Sequence, residues 1–147
     1  MRLLRSRLAR LGIGLSVLAL ALSGCSSGSS HSASRAPTVR VTERDFHITV
    51  APARINAGAV QLVVHNLGPD THELIVVRSS SPALPLRSDA LTVNEEALDR
   101  ATVETLEGKG PGAIRRVLLD LKPGRYELFC NMAGHYLGGM RAELVVT

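Results

Sequence analysis

Residues 126–140, YELFCNMAGHYLGGM, set a thiol, an imidazole and a thioether at the spacing Cys-x4-His-x4-Met. All three side chains are soft or borderline donors that reach for metal ions. Cys130 ends one strand-like run, Met140 opens the next, and His135 lies at the middle of the nine residues between them. Gly134, Gly138 and Gly139 let such a loop turn tightly around one point. A fourth donor must come from elsewhere. Residues 65–74, HNLGPDTHEL, offer one, with His65 closing a run and His72 opening the next. Two imidazoles, a thiolate and a thioether match the His2Cys site with a weak axial Met that holds copper for electron transfer. There Cys130 binds as thiolate, and His72 and His135 as neutral imidazoles.

Other chemistries fit less well. A lone buried cysteine is most often inert, but that fate leaves the glycines and the matching His and Met offsets unexplained. A cysteine hydrolase needs a base beside the thiol and a third group to orient the base, and no acid stands near. Zinc accepts His2Cys, but methionine suits copper better. No His-x-His occurs anywhere, which argues against the clusters that reduce oxygen. A single domain cysteine argues against a dinuclear thiolate-bridged centre. The pattern favours one copper ion and no enzymatic reaction.

The elements around this constellation begin with a targeting segment. Arg2, Arg5, Arg7 and Arg10 precede an apolar run from Leu11 to Leu22, and LSGC follows at once. The run is short for a span of about 20 residues and reads as a signal peptide. LSGC resembles the bacterial lipobox, which makes Cys25 the lipidated residue and 1–25 a lipoprotein signal. Residues 26–37, SSGSSHSASRAP, have little to bury and read as a tether. The folded domain is then 38–147. Four of the 17 Lys and Arg lie in the signal, leaving 13 against 13 Asp and Glu. A neutral domain gives no basic patch for nucleic acid.

Within the domain, TVRV, FHITV, AVQLVVHN, HELIVV, IRRVLLDL, RYELFC and MRAELVV are short runs separated by turn signals. They predict an all-β sandwich or barrel. Phe46, Ile48 and Val50 are expected on one inward face, as are Val60, Leu62 and Val64, with His47 facing out and Tyr126 in the core. Residues 79–112 are expected to be irregular or partly helical, with Asn94 as a helix N-cap and TVETLEG as a possible strand.

The stretches VVHNLGPDTHELIVV and KPGRYELFCNMAGHYLGGMRAELVV resemble the cupredoxins, the blue (type 1) copper proteins. An Asn-x-Gly turn precedes a His that starts a strand. A strand bearing PG-x-Y ends in Cys, and the Cys-x4-His-x4-Met spacing is similar to that of rusticyanin-like and sulfocyanin-like members. The resemblance selects His72 over His65. It implies a Greek-key fold with His72, Cys130 and His135 as equatorial ligands and Met140 as the axial one. It further implies a backbone N–H from Glu73 to the Cys130 sulfur, and an Asn66 side chain that ties the two ligand loops together. The expected protein is a monomeric, lipid-anchored, extracytoplasmic electron carrier with one Cu(I)/Cu(II) ion and redox protein partners. An apolar rim of Pro69, Ala133, Gly134, Tyr136 and Leu137 is expected around His135. Copper delivery, storage or sensing through the same site is the alternative.

Overall fold

Apolar residues recurring at every second position drive most of the domain into strands. The computed structural model describes residues 35–147, so the signal segment, Cys25, His31 and most of the Ser-rich stretch lie outside the described residues. The strands are β1 (Thr38–Arg44), β2 (His47–Ala51), β3 (Arg54–Ile55), β4 (Gly58–Asn66), β5 (His72–Arg78), β6 (Thr102–Lys109), β7 (Ile114–Leu121), β8 (Gly124–Phe129) and β9 (Arg141–Val146). One short helix, α1 (Glu95–Leu98), precedes β6. One sheet has the order β2-β1-β4-β7 and the other β3-β9-β8-β5-β6. β1 runs parallel to β4 and β3 parallel to β9, while the other pairs are antiparallel. This is the all-β sandwich that the alternation predicts.

Val39, Val41, Val60, Leu62, Val64, Leu119 and Leu121 of the first sheet pack against Leu74, Val76, Leu128 and Leu144 of the second. A second cluster joins Ile75, Val77 and Phe129, which face away from that core, to Leu84, Val93, Leu98 and Tyr136. β5 is therefore covered on both faces. That is why its sequence reads as the unbroken run LIVV rather than alternating. Tyr126 is buried, and its hydroxyl donates to Lys122 O at 2.8 Å, so it closes the corner between β7 and β8.

Two stretches settle what the sequence left open or misread. In 79–112, the TVETLEG run is a full edge strand, β6, antiparallel to β5. Residues 79–101 form a loop with a Leu86–Val93 bridge and α1, whose cap Asn94 accepts from Ala97 N at 3.3 Å. Phe46 is not a strand residue. The Arg44–His47 pair closes a hairpin whose two turn residues are Asp45 and Phe46. Phe46 has φ +58° and is 52% exposed, so the alternation starts only at His47.

Candidate metal centre

Three pieces of chain meet at one pole of the sandwich: the head of β5, the end of β8 and the 130–140 loop. They place ligand atoms of His72, Cys130 and His135 within 4.8 Å of one another. His135 Nδ1 lies 3.5 Å from Cys130 Sγ, and the two imidazole rings have centroids 5.2 Å apart. His72 and Cys130 are fully buried, and His135 is half-buried. Met140 is also fully buried, in the same core cluster as Cys130. Its backbone closes the loop: Cys130 N donates to Met140 O at 3.1 Å, and Met140 N donates to His135 O at 2.9 Å.

His72 is held in one orientation. Its Nε2 lies 3.0 Å from Asp45 Oδ1, while its buried Nδ1 has no hydrogen-bond partner. Burial pushes its pKa down more than Asp45 pulls it up, which favours the neutral ring. Placing the proton on Nε2, where a carboxylate accepts it, leaves Nδ1 as a bare lone pair. A buried acceptor without a partner costs about 1–3 kcal/mol. A metal ion relieves that cost, so the residues fit one. Gly68 makes the room: a Cβ there would come within 2.8 Å of Asp45 Oδ1 and 2.9 Å of His72 Nε2.

Burial also pushes the Cys130 thiol above its ordinary range, and the nearby backbone of Met132 and Glu73 offsets this only in part. The resemblance implies a backbone N–H from Glu73 to this sulfur, and the Glu73 backbone is among the groups that pull the thiol pKa down. Met132 keeps its own side chain exposed, turned away from the site. Asn66 requires a correction. Its amide donates to Asp70 O at 2.7 Å and Lys109 O at 2.8 Å, and its Oδ1 accepts from Gly68 N at 2.9 Å. It folds its own turn and pins it to β6, and none of these bonds reaches the 130–140 loop. Glu73 joins the two ligand loops instead, since its Oε1 also accepts from Asn131 N at 3.1 Å.

The β1–β2 turn is the feature the sequence reading missed. Asp45 holds His72, and the neighbouring Phe46 sets its ring edge-on to His135 with centroids 5.4 Å apart. Phe46 lies over Gly138, where a Cβ would come within 2.2 Å of its ring. A bulky residue at positive φ costs roughly 1–3 kcal/mol and persists only where its surroundings hold it. The 79–101 segment was also missed as a support. Leu91 O accepts from Gly134 N at 3.0 Å, Asn131 Nδ2 donates to Val93 O at 3.0 Å, and Leu84 N donates to Tyr136 Oη at 3.0 Å. Tyr136 therefore faces inward and leaves the expected rim, whereas Pro69, Ala133 and Leu137 are exposed and the exposed Phe46 ring stands beside His135. His65 stays on β4 outside the cluster, and His47 is exposed.

A two-sheet β-sandwich with a His-Cys-His cluster and a buried Met at one pole is the cupredoxin fold. Solved structures share it along most of this chain. Auracyanin from Roseiflexus castenholzii superposes with a TM-score of 0.57 at 16% identity, over 76% of this chain and 98% of its own. Auracyanin A from Chloroflexus aurantiacus, a "blue" copper protein, gives 0.55 at 16% identity over 77% and 100%. Rusticyanin from Thiobacillus ferrooxidans gives 0.55 at 14% identity over 77% and 79%. No protein-family model and no curated protein matches the chain by sequence. The donor chemistry of His72, Cys130 and His135 suits a single copper ion.

Proposed function

We propose that this chain is a type 1 copper protein that carries single electrons between redox protein partners. His72, Cys130, His135 and Met140 are its ligands. The observation that carries the reading is the buried cluster whose His72 Nδ1 has neither solvent nor a hydrogen-bond partner. Copper, when bound, supplies a one-electron Cu(I)/Cu(II) couple. The chain's own residues do the rest. Cys130 and His72 are sealed from water, whereas His135 reaches the surface beneath the exposed Phe46 and Leu137. The exposed apolar side chains there favour brief docking, in which a partner is met, desolvated and released.

The rim gives the test. Leu137→Lys puts a like charge on both copies that meet during electron self-exchange, so the exchange rate falls at least about tenfold. The copper stays bound and blue, because Leu137 is 52% exposed and holds nothing in the cluster. Unchanged exchange, or rapid surrender of copper from the wild-type protein to an apo-acceptor, overturns electron transfer in favour of delivery.

We further infer that the domain works as a monomer outside the cytoplasm, tethered to a bacterial membrane by lipid on Cys25. The support is the order of basic, apolar and LSGC residues ahead of a Ser-rich stretch. Cys25→Ser moves the protein from the membrane fraction to the soluble fraction, with copper binding intact. Wild-type protein recovered quantitatively in the soluble fraction refutes the anchor.

A further inference from the structure

We propose that Asp45 tunes the metal, its carboxylate acting through His72 to favour Cu(II) over Cu(I). This deepens the copper reading above and rests on it. Asp45 stands in the β1–β2 turn, 27 positions from His72 in the chain, yet its Oδ1 lies 3.0 Å from the ring's Nε2. The imidazole is completely buried and the carboxylate is 31% exposed. A carboxylate accepting from the far N–H of a metal-binding imidazole fixes its tautomer and raises its basicity. Here that enriches Nδ1, the nitrogen left without a partner. A better donor favours the more highly charged ion, and the negative charge itself stabilises the oxidised centre, which carries one more positive charge than the reduced one. Both effects point the same way. Asp45 is thus a positioning residue that acts through His72.

Gly68 shows that the contact is built into the fold. Any side chain at that position would press on both Asp45 Oδ1 and His72 Nε2. The adjacent Phe46, at φ +58° over His135 and Gly138, fixes the other side of the same turn. Its neighbour Asp45 is thereby held at one place above His72.

The test uses two variants and one measurement without metal. Asp45→Asn keeps the shape and an acceptor oxygen but removes the charge. Cu(II) binding should weaken about tenfold relative to Cu(I), which raises the one-electron potential by about 59 mV. The blue band should persist. Gly68→Ala keeps the charge but forces the pair apart, and the potential should rise again. In the metal-free wild-type protein, 15N NMR of the His72 ring should find the proton on Nε2. A blue Asp45→Asn protein with an unchanged potential overturns the proposal alone, as does a wild-type ring protonated on Nδ1. A wild-type protein that takes up Cu(II) without turning blue overturns the copper reading and this proposal with it.

Discussion

Cys130→Ser abolishes the intense blue band that Cu(II) raises in the wild-type protein. That band belongs to the bond between copper and a thiolate, and Cys130 is the free cysteine at the cluster. A hydroxyl in its place is a far poorer soft donor. The loss should be complete, read by visible absorption and by copper hyperfine splitting after Cu(II) addition. His72→Ala should also lose the blue site, whereas His65→Ala should keep it, because His65 is outside the cluster. A blue Cys130→Ser protein sinks the assignment. So does a His65→Ala protein that bleaches while His72→Ala stays blue.

The second large effect is on stability and lies beneath the site. Glu43 of β1 is fully buried and accepts from Arg115 of β7, whose side chain is almost fully buried. Arg115 also donates to Leu106 O at 3.1 Å and Glu107 O at 2.9 Å, so it ties β7 of one sheet to β6 of the other. Glu43→Ala strands the guanidinium and should cost roughly 3–5 kcal/mol, whereas replacing both partners with methionine should be near neutral. The single loss is a large share of a typical stability of about 5–15 kcal/mol. Urea titration of the metal-free protein checks it through the midpoint at constant slope.

Arg115→Met behaves differently with pH. Burial pushes the Glu43 carboxyl above its ordinary range, and Arg115 pulls it back by less. Without Arg115 the upward push stands alone. A folded-state pKa above the unfolded one gives stability that is fully present below the unfolded value and lost as pH rises through the folded one. Arg115→Met should therefore be relatively most stable in acid. Equal destabilisation of the single and double variants, or no pH dependence in Arg115→Met, refutes this account of the pair.

The parts legible in the sequence were those set by local repetition or fixed offsets. Val60, Leu62 and Val64 alternate because one face of β4 is buried, and all three are completely so. The Cys-x4-His-x4-Met offsets survive because one loop carries all three residues. What escaped depends on contacts between distant segments. FHITV alternates as well as any strand, and nothing local reveals that Phe46 takes positive φ to sit over Gly138. Asn66 was assigned across to the wrong loop, since its nearest acceptors come from its own turn and from β6. Glu43 did leave a trace. Counting by twos from Val39 and Val41 puts it inward, where a carboxylate needs a partner.

The grip of the 79–101 segment on the 130–140 loop has an entropic consequence. Fixing one residue's backbone costs about 1–2 kcal/mol, and a loop ordered only by its metal would subtract that cost from affinity. Here Leu91, Val93 and Leu84 hold Gly134, Asn131 and Tyr136 through hydrogen bonds that involve no ligand side chain. The loop is ordered when the chain folds, before any ion arrives. Binding then meets donors already drawn together, and an electron arriving or leaving finds them where they were. A segment that contributes no ligand thus helps set both how tightly the ion is held and how little the protein must move around it.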